Sequence, residues 1–101
     1  MARTPTPANR VTLRGTLSRD PEVRSFDSGS TLTTFLVKAP DHEGRPTTIP
    51  VSAWDDAAGG LEGAAAGAFV EVAGVVRTRF WAGPDGKRSR VEVVASATRL
   101  R

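Results

Sequence analysis

The sequence predicts an all-β domain with one short helix, on three observations. Apolar and polar residues alternate in five separate stretches, turn-forming residues stand between those stretches, and a single alanine-rich segment interrupts them after the third. The chain has 101 residues, which suits one domain built on one core. With 39% hydrophobic and 25% charged residues, its balance is that of a globular domain rather than a disordered chain or a membrane protein.

Residues 1–8 carry two prolines and two threonines without periodicity and read as a flexible arm, so the folded domain is expected over 9–101. From Val11, the residues Val11, Leu13, Gly15 and Leu17 share one face, with Arg10, Thr12, Arg14 and Thr16 on the other. Ser18-Arg19-Asp20-Pro21 ends this strand, because a residue before proline is pushed out of the helical region. Glu22 to Phe26 is extended and Asp27-Ser28-Gly29 turns the chain. In the second strand, Leu32 to Ala39, Phe35 and Val37 alternate against Thr34, Leu36 and an outward Lys38.

The polar loop from Pro40 to Pro46 leads to a third strand, Thr47 to Trp54, whose apolar face is Ile49, Val51 and Ala53. Trp54 lands on the opposite face with Ser52. Asp55 to Gly67 is the one place for a helix, but its four glycines each cost about 1 kcal/mol relative to alanine, so it must be short or held by packing. Asp55 and Asp56 are expected to cap it. The fourth strand, Phe69 to Trp81, has Val70, Val72, Gly74 and Val76 on one face and Glu71, Ala73, Val75, Arg77, Arg79 and Trp81 on the other. Gly83-Pro84-Asp85-Gly86 supplies a hairpin turn, and in the fifth strand, Ser89 to Thr98, Val91, Val93 and Ala95 alternate with Arg90, Glu92 and Val94. Five strands with a helix after the third match the Greek-key barrel called the OB-fold, whose face commonly binds oligonucleotides or oligosaccharides.

Composition also excludes functions. Cysteine is absent, which removes disulfides, thiolate nucleophiles and sulfur-ligated zinc. The lone histidine, His42, sits between Asp41 and Glu43 in a turn-rich loop and reads as solvated rather than as a metal or acid-base centre. No phosphate-binding glycine loop, nucleophile elbow or zincin pattern occurs, so neither enzyme activity nor a cofactor or metal is expected. No apolar run approaches the roughly 18 residues of a spanning helix, and the N-terminus lacks a secretory apolar centre; a cytoplasmic, nucleoid-associated location is expected. The net charge of +3 permits a polyanionic partner without requiring one.

A single nucleic-acid strand exposes flat base faces and a line of phosphates, so its binder needs outward aromatics flanked by cations. The alternation puts Trp54 and Trp81 outward, Arg77 and Arg79 on the face of Trp81, and Arg14, Lys38 and Arg90 outward on neighbouring strands. The bland alternative is that both tryptophans are core, which one bulge in either strand would bring about. Lys87 and Arg88, just after the hairpin turn, are either decorative charges or part of a basic finger closing over the strand.

Three stretches carry more than composition. Asn9-Arg10-Val11-Thr12-Leu13-Arg14-Gly15-Thr16-Leu17 with Asp20-Pro21-Glu22-Val23-Arg24, then Val70 through Arg77-Thr78-Arg79-Phe80-Trp81, then Asp85-Gly86 through Val91-Glu92-Val93 resemble the bacterial single-stranded DNA-binding proteins. The resemblance spans Asn9 to Thr98. It implies that Trp81 stacks a base beside Arg77 and Arg79, and that Trp54 stands where the family usually carries a stacking phenylalanine. It further implies sequence-independent single-stranded DNA binding in replication, repair or recombination, no catalysis, and a homo-oligomer, most often a tetramer, with a dimer as the alternative.

Three departures qualify it. Thr48 falls where many members place another aromatic, and the Pro40–Pro46 loop is short and lacks a tryptophan often found there. The sequence ends at Arg99-Leu100-Arg101 without the acidic, phenylalanine-ended tail that recruits replication and repair enzymes, so it reads as a short form for which tail-mediated partners are doubtful. These departures keep open a second reading, an OB-fold interaction subunit, primosome-like or of another assembly, using Ala73, Val75 and their neighbours with weak or no nucleic-acid binding.

Overall fold

A computed structural model describes residues 4–101. Of the arm expected over 1–8, residues 1–3 lie outside the described residues, and 4–8 are exposed and without regular structure. Six strands follow: β1 (Val11–Leu17), β2 (Glu22–Ser25), β3 (Thr31–Pro40), β4 (Pro46–Trp54), β5 (Phe69–Gly83) and β6 (Gly86–Leu100). They are hydrogen-bonded in the order β1-β5-β6-β4-β3-β2, and β1 also pairs with β3, so β1, β5, β6, β4 and β3 close into a ring. This is the five-stranded OB-fold barrel that the alternation predicts. The short β2 is the first four residues of the expected extended Glu22–Phe26 segment, paired outside the ring along β3, with Phe26 already in the following turn.

Each ring strand contributes alternate residues to one core. Leu17, Phe35, Val37, Val51, Ala53, Val70, Val72, Val93 and Ala95 are buried together, with Leu61 beneath them. The ring closes at Gly15. Here β1, still paired with β5 as far as Thr16 opposite Phe69, takes up β3 on its other edge through Thr16 opposite Lys38, and a β-carbon on Gly15 would overlap the Lys38 carbonyl oxygen. Glycine is required because two backbones pass where a side chain has no room.

The segment between β4 and β5 is a 3-10 helix over Asp55–Leu61, followed by turns to Gly67. It is shorter than the Asp55–Gly67 stretch in which a helix was expected, as its glycines foretell. Neither aspartate caps it. The N-cap position is Trp54, with no side-chain hydrogen bond there, and the Asp55 carboxylate accepts the Thr31 N–H of β3 at 2.8 Å. Packing holds the helix: Thr98 Oγ1 donates to the Ala57 carbonyl at 2.7 Å, and Gly60 lies against the Thr98 backbone. Asp20 ties the β1–β2 turn to the following loop by accepting the Ala66 N–H at 2.8 Å. Asn9 fastens the start of the domain to β5, donating to the Val76 carbonyl at 2.7 Å and accepting its N–H at 2.8 Å.

The β5–β6 hairpin is longer than the sequence suggests. Its pairing runs to Gly83 opposite Gly86 around a Pro84–Asp85 turn, with Gly86 at φ 116°, a conformation that favours glycine. A bulge at Ala73/Gly74 leaves Ser96 out of register, its hydroxyl donating to the Ala73 carbonyl at 3.1 Å. Past the bulge Ala95 and Val93 still enter the core, and beyond Val93 the ribbon projects past it. Val76 and Val91 keep the inward parity expected of them, yet both are exposed because the barrel no longer lies beneath them. No helix among the described residues is long and apolar enough to cross a membrane.

Candidate nucleic-acid interface

The outward faces of β3 and β4 form a shallow floor. Register pairs Leu32 with Trp54, Thr34 with Ser52, Leu36 with Pro50 and Lys38 with Thr48, all with outward parity. Arg24 and Glu22 of β2 extend the first two of these rows, opposite Leu32 and Thr34. On the far side stands the outward face of the hairpin, where Arg77 lies opposite Glu92, Arg79 opposite Arg90, and Trp81 opposite Arg88. Between the two runs a groove whose charged walls are Arg19, Arg24, Arg79 and Arg90, against Glu22 and Glu92. Four cations against two carboxylates make it a basic channel.

Glu92 fixes the floor to the hairpin. It is 3% exposed, accepts the Ser52 hydroxyl at 2.8 Å on one oxygen, and accepts an Arg77 guanidinium N–H at 2.6 Å on the other. Burial alone would raise its pKa. The hydrogen bonds from Arg77 and Ser52, with the charges of Arg77 and Arg79, outweigh that and hold it below the ordinary glutamate value. Arg77 is thereby anchored, with its outer half in water.

Arg79 and Arg90 have no such partner across the ladder. They are cross-strand neighbours of like charge, an arrangement that destabilises a sheet unless an anion comes between them. Both also line a hollow with Trp81, so one pair of guanidinium groups serves the groove and the tryptophan together. A local rule of sheet design is broken at the place where a phosphate chain would satisfy it.

Trp54 and Trp81 are 40% and 42% exposed, on the outward faces that the alternation assigns. The remaining sequence-selected residues separate. Arg88 shares the outward face with Trp81 and bonds Asp85 at 3.0 Å across the turn. Lys87, opposite Ala82, projects from the other face of the hairpin, beside Phe80. Lys38 is exposed at the β3 end of the floor, opposite Thr48. Arg14 lies apart from the groove walls: it pairs with Glu71 at 3.1 Å and covers the Phe69 ring at 5.9 Å.

The sequence reading missed Arg19, Arg24 and Phe26. Arg19 is in a turn and Phe26 follows a four-residue strand, so neither has the run of alternation that reveals a face. The Phe26 and Trp54 ring centroids are 5.6 Å apart at 33°, and the Arg24 guanidinium lies 5.5 Å from the Phe26 centroid. His42 is in the exposed β3–β4 turn at 3.3 Å from Glu43, where Asp41 accepts the N–H groups of Glu43 and Arg45. That cluster shapes a turn.

A basic groove flanked by exposed tryptophans on a five-stranded barrel accords with the comparison of the sequence with known families: residues 8–100 match the model of the single-strand binding protein family. The chain belongs to that family. Members of the single-strand binding protein family are non-catalytic proteins that bind single-stranded DNA. Comparison with individual curated proteins gives no match.

Proposed function

We propose that the protein binds single-stranded DNA without sequence preference, stacking bases on Trp54 and Trp81 while Arg79, Arg90, Arg19 and Arg24 take the phosphates. The observation that carries this reading is the like-charged Arg79–Arg90 couple, without a salt-bridge partner among the described residues, beside an exposed Trp81. Every base has a π-face, so stacking tolerates any sequence, and each stacked base contributes about 1–3 kcal/mol. Arg77 acts from its anchor on Glu92, Arg88 and Lys38 flank the path, Lys87 reaches a strand only at the hairpin tip, and Arg14 serves the barrel wall. The role is non-catalytic and needs no cofactor; it fits DNA replication, repair or recombination in the cytoplasm, at the nucleoid.

The test is a titration with a dT oligonucleotide, following tryptophan fluorescence at two salt concentrations, with Trp81→Ala alongside. Strong quenching that weakens with salt, and weakens about 5- to 150-fold in affinity in the variant, is expected. A salt-independent response would overturn the proposal.

A specific observation also favours association of the chain with itself. The face of the hairpin away from the groove gathers three exposed apolar side chains, Val76, Phe80 and Val91, with Phe80 at 69%, and an exposed apolar cluster of this kind suits a protein contact. A homo-oligomer, tetramer before dimer, accounts for this face, and sedimentation of Phe80→Ser against the parent tests it. An interaction subunit with another protein would use Ala73 and the exposed Val75 on the opposite face of the ribbon, and stable capture of a partner without nucleic acid would support that reading.

A further inference from the structure

We infer that Phe26, with Trp54 and Arg24, forms a second base-binding subsite at the β2 end of the groove. A bound strand then crosses the outer face of β3 and β4 from this ring pair to Trp81. The inference rests on single-strand binding through the groove and extends it to a side chain that no strand pattern marks.

Arg24, Leu32 and Trp54 occupy one row across β2, β3 and β4. Phe26 follows two residues after Arg24, in a tight turn where its N–H donates to the Ser30 carbonyl and its carbonyl accepts the Gly29 N–H, both at 2.9 Å. That turn fixes the backbone and leaves the ring against Trp54. Neither ring is core: Phe26 is 38% exposed and Trp54 remains exposed despite the contact. Two large aromatics gathered at the surface, with a guanidinium over one of them, make a platform of apolar face and positive edge, the combination a nucleotide requires.

The geometry also restricts how the platform is used. A base between two rings needs about 3.5 Å on each side, so roughly 7 Å between the planes. Centroids 5.6 Å apart and already in tilted contact leave no such slot, so the base stacks on the outward side of the pair. Arg24 lines the groove that also holds Arg79 and Arg90, which places a cation for the phosphate next along the path.

The experiment uses Trp81→Phe as parent, so that Trp54 alone reports, titrated with a dT oligonucleotide. Phe26→Leu keeps an apolar side chain beside Trp54 but removes the ring; Phe26→Tyr keeps the ring. The proposal expects about 5- to 100-fold weaker binding for Phe26→Leu, recovery in Phe26→Tyr, and a salt slope shallower by about 0.7 in Arg24→Gln. Unchanged affinity in Phe26→Leu, with the parent still binding, would reduce Phe26 to a cover for Trp54 and overturn the subsite alone. A parent showing no salt-sensitive quenching would overturn the groove reading, and the subsite with it.

Discussion

The β5–β6 ribbon is one ladder with two characters, divided where Val93, opposite Val76, ends the core contribution of β6. On the barrel side, Val70 and Val72 are buried and their outward neighbours are ordinary wall residues, with Glu71 paired to Arg14 and Arg101. On the hairpin side the same alternation continues, but Val76, Phe80 and Val91 meet no core, and the outward face concentrates Arg77, Arg79, Arg88, Arg90 and Trp81. The lesson is that alternation reports which way a side chain points. What it points at depends on whether the strand still lies over the barrel.

The largest expected effect separates the two halves by stability. Leu17→Ala opens a cavity beneath the ring closure and is expected to cost about 2–5 kcal/mol. Phe80→Ala removes a larger side chain from an exposed position and is expected to stay within about 0.5 kcal/mol. Urea unfolding of both variants as dilute monomers decides the matter. Equal losses would mean that the hairpin belongs to the core.

Glu92 is the exception on the hairpin side, and it sharpens the comparison. Its folded pKa is depressed, so its contribution is complete at pH values above the ordinary 4.5 and is lost as pH falls through the lower folded value. Because Arg77 is half in water, Glu92→Gln is expected to cost only about 1 kcal/mol at neutral pH. The gap between variant and parent should close progressively below pH 4.5 in acid unfolding. A gap that persists at low pH would show that packing, rather than charge, is what Glu92 supplies.

The fold was legible because the apolar core residues of each ring strand recur with a period of two, as in Leu13–Gly15–Leu17 and Phe35–Val37, even where β4 and β6 also bury Ser52 and Glu92 between them. Trp81 and its arginines could be placed outward for the same reason. The helix was legible only in position: its residues prefer helix, yet glycines and the contact with Thr98 decide its length and type. Asp55 and Asp20 look like local caps and turns in the sequence but bond backbone 24 and 46 residues away, a long-range use that composition does not encode. Arg24 and Phe26 were hidden because β2 is too short to show a period. Arg14 was selected for its outward parity, which on a closed barrel holds for every wall and does not single out the groove.

That last distinction gives the smallest effect and the finest test. On a single strand, each phosphate neutralised contributes about 0.7 to the slope of log affinity against log salt. Arg79→Ala, in the groove opposite Arg90, is expected to lower that slope by about 0.7 and leave unfolding nearly unchanged. Arg14→Ala breaks an ion pair with Glu71 on the barrel wall and is expected to leave the slope where it was. Both remove one positive charge, so net charge cannot account for a difference between them. Equal reductions would show that the protein attracts DNA through its overall field, and that the groove confers no advantage on the arginines it gathers.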